Sequence, residues 1–325
     1  MQTYSYGRNS PLLLAAGLLA VTACVPTSVP KRADNAGTED GGTPITLSTP
    51  VEGTPVHFAA RDTLFMCPRG INVPPLVRPK SPWITGDSIV ISDMPIVEGS
   101  VQWESKFAMT QTDTERRLVG NGLPPHPTGT FPVQKGTAAY DIYSKLPVQG
   151  YSSAAEIPIG PYELDVTLPR NPQVSDKANC LPSLVTGVAI QTGVTWHADI
   201  ALDPNNRFLD PVAAVPTDSC WGHPYNNQYH YHGYSWKCFP NQGKPSEHSP
   251  LFGYALDGFG VFGPLGEDGM MVTNEELDEC HGHSHEIEWD GEKRQMYHYH
   301  LNNEFPYSIG CFRGTPIKVP HNLQH

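Results

Sequence analysis

Apolar and polar positions alternate with period two over much of the chain, the spacing of β-strands rather than helices. Tyr162-Glu163-Leu164-Asp165-Val166-Thr167-Leu168 alternates cleanly and stops at Pro169, as an edge or half-buried strand does. Ser100 to Met109 alternates in part through Val101, Trp103, Phe107 and Met109, and Asp87 to Ser92 is an apolar run bounded by Gly86 and Asp93. Asn121-Gly122-Leu123-Pro124-Pro125-His126-Pro127 reads as a loop. Leu256-Asp257-Gly258-Phe259 predicts a two-residue hairpin with a type I′ turn. Helical spacing is absent except at Thr273 to Cys280, where Thr273-Asn274-Glu275-Glu276 has the form of a helix start. The expected fold is mainly β: a turn-rich, sandwich-like domain with few short helices.

The sharpest alternation occurs twice, as Tyr229-His230-Tyr231-His232 and Tyr297-His298-Tyr299-His300. In a strand, both tyrosines of such a segment lie on one face and both histidines on the other. The surroundings repeat as well. Gly187 to Val194, Asp218-Ser219-Cys220-Trp221-Gly222-His223, the first Tyr-His segment and Cys238 follow one another. Gly253 to Phe259, Asp278-Glu279-Cys280-His281-Gly282-His283, the second segment and Cys311 follow in the same order. Each copy therefore reads as a hairpin, a loop, an alternating strand and a closing cysteine. The two are expected to pack about a pseudo-twofold axis.

The N-terminus modifies this picture. Leu12 to Val21 is apolar, Arg8 is the only charge before it, and Val21-Thr22-Ala23 leads into Cys24. Residues 1–23 resemble a lipoprotein signal peptide, with Cys24 the lipidated residue. Pro26 after it favours, by the same resemblance, an outer-membrane destination, periplasmic or surface-facing. Residues 24–50 read as a flexible tether, 51–184 as an N-terminal β region, 185–315 as the tandem module and 316–325 as a tail. Removing the signal from a chain of net charge −12 takes one arginine with it and leaves −13. No basic patch offers nucleic acid a footing. Seven cysteines less Cys24 leave Cys67, Cys180, Cys220, Cys238, Cys280 and Cys311, an even set suited to an oxidising compartment. If the copies fold alike, Cys220–Cys238 and Cys280–Cys311 form and Cys67–Cys180 remains; cross-copy pairing is equally symmetric.

These residues resemble the YHYH-domain family of exported proteins. The resemblance is carried by Gly-His after Asp-x-Cys and by His248-Ser249-Pro250-Leu251, Gly253 to Gly258, Leu277 to Cys280 and Phe305-Pro306-Tyr307-Ser308-Ile309-Gly310-Cys311. Weaker similarity brings the span to about residues 80–315. The first hairpin departs from the family's plain Asn-Gly turn with Ile190-Gln191-Thr192-Gly193-Val194, which implies an extra residue there. The family supplies a fold and a site, but no chemistry.

Paired imidazoles on one face suit a transition metal, copper or zinc, better than calcium or magnesium. The expected ligands are His230, His232, His298 and His300, joined by His223 and His283. Asp218 and Asp278 are placed behind them as acceptors orienting the rings, or alternatively on their own turn amides. His248 is a further candidate, His126 a remoter one reaching in from the first half. Asp257 is assigned to its turn. His281, His285, His321 and His325 are expected at the surface. With no free thiolate and no opposed methionine evident, a blue-copper site is not expected. Four histidines around one shared ion and a three-histidine site in each copy both remain open. The functional expectation is a lipid-anchored metal-binding protein. A metal-dependent enzyme, zinc hydrolase or copper oxidase, and a ligand- or protein-binding module with structural histidines are the alternatives.

Overall fold

The computed structural model describes residues 54–57, 63–67, 82–85, 88–89, 93–146, 156–202, 208–233 and 238–324. The signal, Cys24 and the tether lie outside them. In the first half, β1 (Thr54–His57) pairs with β2 (Thr63–Met66), and β3 (Ile84–Thr85) with β4 (Ser88–Ile89). The rest of the Asp87 to Ser92 run lies outside the described residues. Strands β5 (Phe107–Gln111), β6 (Glu115–Gly120) and β7 (Leu164–Pro169) make a three-stranded antiparallel sheet in that order. The cleanly alternating stretch is thus an edge strand, and its Leu164, Val166 and Leu168 face inward.

The second half builds an eight-stranded sheet. Its strands are β8 (Val185–Ala189), β9 (Val194–His197), β12 (Gly222–Tyr225), β13 (Gln228–Tyr231), β14 (Leu251–Ala255), β15 (Gly260–Phe262), β16 (Gly282–Trp289) and β17 (Glu292–His300). The short pair β10 (Ala201–Leu202) and β11 (Phe208–Leu209) stands apart. The order across the large sheet is β12-β13-β9-β8-β14-β15-β17-β16. Read outward from the antiparallel β8–β14 centre, each half repeats one series: an antiparallel hairpin, a parallel step, a second antiparallel hairpin. Both Tyr-His segments are therefore in the strand that follows the parallel step. Helices are few and short: α1 (Ala138–Tyr143), capped by the Thr137 side chain, and α2 (Pro211–Ala214).

Turn chemistry explains where expectation and structure part. The β14–β15 connection is a hairpin but not type I′: Asp257 keeps a negative φ, Gly258 takes φ 92°, and Gly258 N–H donates to Ala255 O at 2.9 Å. This is the three-residue loop with glycine in the left-handed position. The β8–β9 loop, from Ala189 to its partner Val194, is one residue longer, as the departure at Ile190 to Val194 implied. Two-residue turns with positive φ occur at Asn226-Asn227 (φ 48° and 65°) and Asp290-Gly291 (φ 54° and 82°), joining β12 to β13 and β16 to β17. Thr273 to Cys280 forms no helix. Thr273 and Glu276 make the reciprocal bonds of a helix start, Thr273 N–H to Glu276 Oε2 at 2.8 Å and Glu276 N–H to Thr273 O at 3.0 Å. The single turn is not propagated, because Asp278 and Cys280 are already committed to the next loop.

The three disulfides are Cys67–Cys180, Cys220–Cys238 and Cys280–Cys311, the within-copy alternative. The two sheets are joined by Arg116, whose guanidinium is buried over the Tyr254 and Trp289 rings and donates to Asp290 Oδ1 and Oδ2 at 2.7 and 2.6 Å. Without it Asp290 keeps Arg170 Nε at 2.9 Å, but the Tyr254 and Trp289 rings lose the guanidinium packed on them. Arg116→Ala is expected to cost about 2–3 kcal/mol, read as a lowered urea midpoint at unchanged slope.

Candidate metal centres

The loop before each histidine strand is built twice in the same way. Asp218 Oδ1 accepts from Cys220 N–H (2.9 Å) and Gly222 N–H (3.2 Å), and Asp278 Oδ1 from Cys280 N–H (2.9 Å) and Gly282 N–H (3.2 Å). Trp221 and His281, at matching positions, both take positive φ (58° and 75°). The same carboxylates accept from phenols across the strand: Tyr229 Oη to Asp218 at 2.9 Å and Tyr297 Oη to Asp278 at 2.9 Å. Asp218 and Asp278 therefore stand on the tyrosine face, not behind the imidazoles. Burial lifts both to about 6. The glycine of each Gly-His pair is required by this clasp, since a Cβ at Gly222 would collide with the Tyr229 phenol, and one at Gly282 with the Tyr297 phenol. Tyr299 is held likewise by Asp257 (2.6 Å), which also serves its own turn through Phe259 N–H. Tyr231 lies 2.6 Å from His126 Nε2, so His126 does reach in, but to the phenols.

On the opposite face the imidazoles gather in two separate groups. The first comprises His223, His230 and His232, and the second His248, His285, His298 and His300; within each, one ring nitrogen per residue lies within 4.8 Å of the others. Among the described residues, no grouping joins the two. His283 sits beside the second group, its ring 4.9 Å from both His298 and His300. Cys220, Cys238 and His126 also cluster, but both sulfurs are spent in a disulfide.

Hydrogen bonding fixes which nitrogen each ring turns inward. His230 Nδ1 faces Gln228 O at 3.1 Å, His298 Nδ1 faces Met296 O at 3.1 Å, His300 Nδ1 faces Gly263 O at 2.6 Å and His248 Nδ1 faces Ser249 O at 2.8 Å. A carbonyl only accepts, so each Nδ1 carries the proton and Nε2 of the neutral ring is a bare lone pair. His232 Nδ1 is held by the Asp199 carboxylate at 3.2 Å in the same sense. Yet Nε2 of His230 lies 3.1 Å from Nε2 of His232, which lies 2.9 Å from Nε2 of His223; Nε2 of His298 lies 3.1 Å from that of His300. The lone pairs opposed between His230 and His232, and between His298 and His300, cannot bond to each other; His223 Nδ1 meets no acceptor, so that ring can donate from Nε2 to His232. Protonation is resisted: burial holds His223, His230 and His300 well below the ordinary histidine range, His298 at about 2 and His248 at about 4. Nε2 atoms bound to one tetrahedral ion at ~2.0–2.1 Å would sit about 3.3 Å apart, close to the spacing seen. The nitrogens of both groups fit a metal ion.

Two residues escaped the sequence reading and two were misplaced by it. His197, on β9, stacks on His230 with ring centroids 3.6 Å apart and planes 9° from parallel. Asp199 accepts from His232, Gly233 N–H and Ser308. The short-range signal for them, His197-Ala198-Asp199, is a bare pattern with no copy in the second unit. His285, expected at the surface, is 13% exposed and aims into the second group. His281 is buried, its Nδ1 donating to His300 O at 2.8 Å and its Nε2 lying 3.1 Å from Asn302 Oδ1. His321 is exposed as expected, and His325 lies outside the described residues. Because an outer acceptor orients its ligand and raises its basicity, Asp199→Asn should weaken metal at the first centre by about 10–100-fold and leave the second untouched. Competition against a graded chelator reads both.

Residues 165–275 match the family model described as YHYH protein. The match takes in the whole first centre and His248, and ends before the second Tyr-His strand. No curated protein and no solved structure matches the chain.

Proposed function

We propose that this chain is an exported, lipid-anchored protein that binds transition-metal ions, copper or zinc, at two histidine centres. The observation that carries the reading is the convergence of Nε2 atoms in both groups, with Nδ1 of His230, His232, His248, His298 and His300 each turned to an acceptor. All-imidazole donor sets suit these metals. At the first centre His223, His230 and His232 would hold the ion; at the second His298, His300, His248 and His285 would, with His283 at hand. Storage or acquisition fits the first centre better than catalysis, because its rings are 4%, 1% and 4% exposed and leave a substrate no approach. Three disulfides and the apolar run before Cys24 support export.

Elemental analysis of protein purified without a polyhistidine tag tests this. The expected result is up to two ions per chain, displaced by chelator with release into the bulk. Protein that carries none and takes up neither Cu nor Zn overturns the reading.

A further inference from the structure

The two centres share their strand register and differ in the next pair along it. Beyond the pair His223↔His230, the next pair on that face is Tyr225↔Gln228; beyond His283↔His298 it is His285↔Met296. Opposed residues of an antiparallel pair share a face, and two residues along restore it. The second centre therefore extends outward as an imidazole beside a thioether, where the first ends in a phenol and an amide. Met296 is half-buried. A methionine does stand opposite a histidine here, although all six cysteines outside the signal are in disulfides.

A loop closes over this rim. Glu267 Oε1 lies 3.2 Å from His285 Nδ1. Leu265 is fastened to the residue after His248, accepting from Ser249 N–H at 3.0 Å and donating to Ser249 Oγ at 2.8 Å. The same loop exposes Met270 and Met271, 67% and 40% accessible, two of the six large hydrophobic side chains so exposed among the described residues. Within the second group, Nε2 of His248, His283 and His285 is buried without a hydrogen-bond partner.

We propose that the second centre takes up copper as Cu(I), captured at the surface by the Met270 and Met271 thioethers and passed by way of Met296 to His285 and His248. This rests on the metal-binding reading above. Thioether sulfur is a soft donor that selects Cu(I) over Zn(II). The transfer exchanges sulfur ligands for imidazole nitrogen at constant oxidation state, so no electron acceptor is needed. The first centre, with Tyr225 and Gln228 at the matching positions, has no such route and loads independently.

The test is uptake kinetics on the full chain under anaerobic conditions, with Cu(I) supplied as its bicinchoninate complex and Zn(II) as a parallel probe. Met270→Leu and Met271→Leu change exposed residues, and Met296→Leu conserves volume in the partly packed rim. The triple variant should load the second centre with Cu(I) about tenfold more slowly or worse, with Zn(II) uptake and final stoichiometry unchanged. Equal Cu(I) rates in variant and parent overturn the proposal, as does an equal slowing of both metals. A parent chain that takes up neither metal sinks the metal-binding reading itself; a parent that binds both, with an unaffected variant, sinks only this one.

Discussion

Alanine at both His298 and His300 should strip the chain of one of the two ions proposed for it. The two rings are fully buried, their Nε2 atoms 3.1 Å apart, and their Nδ1 protons are committed to Met296 O and Gly263 O. His281, which precedes them in sequence, cannot replace them because it is tied to His300 O and Asn302, so the site is left with His248, His285 and the adjoining His283. Structural zinc sites with four ligands are worth about 10–16 kcal/mol in apparent free energy, so two lost ligands remove on the order of 6 kcal/mol, a weakening of about 10⁴-fold. Metal content should fall from two to one, and the reciprocal pair His230→Ala, His232→Ala should remove the other ion. Unchanged stoichiometry in either variant rejects the ligand assignment.

The second large effect is on the metal-free protein in acid. His223, His230, His281, His298 and His300 are buried and held below the ordinary histidine range by that burial, His281 at about 4 and His298 at about 2. A histidine whose folded pKa is depressed binds its proton more readily when unfolded. Its contribution is intact above about pH 6.5 and is lost as pH falls from there toward the folded value. Asp218, Asp257 and Asp278 act in the opposite sense, because burial raises each to about 6. They favour the folded state below the ordinary carboxylate range and lose that as pH rises through 6. Five histidines against three aspartates leave two groups in excess, or about 3 kcal/mol lost per pH unit between roughly pH 6 and pH 4. Against a total stability of about 5–15 kcal/mol, that brings unfolding within reach near pH 5. Urea midpoints at about pH 7.5, 6 and 5 with chelator should fall steeply, and bound metal should shift the fall to lower pH by competing with protons. A flat profile would speak against neutral buried imidazoles.

Much of the second half was legible in the sequence because its signals are local. Strict period-two alternation placed Tyr and His on opposite faces, and the repeated order of landmarks picked out the within-copy disulfides. Of the roles open to Asp218 and Asp278, the bonds to their own turn amides were legible and are found, whereas the phenols they hold were not. Loop aspartates read the same whether they meet an imidazole or a phenol, and only the fold shows the tyrosines crossing Gly222 and Gly282 to reach them. His285 was misread because a histidine without a counterpart looks like surface. Its partners, His248 and Glu267, arrive from other segments. His197 and Asp199 were lost for the same reason, their contacts with His230 and His232 made by a parallel pairing of distant strands. The Thr273 start was locally sound and overruled by the loop that follows it.

The phenol clasps carry one consequence for how the protein matures. A histidine strand displaced by a single residue would turn its phenols toward the ion and its imidazoles toward Asp218 or Asp278, forfeiting both sets of bonds at once. Alignment is thus proofread from the dry side of the sheet, without help from any cargo. The imidazole face is set before any ion is needed to hold it, and a chain folded without metal should present the same paired nitrogens.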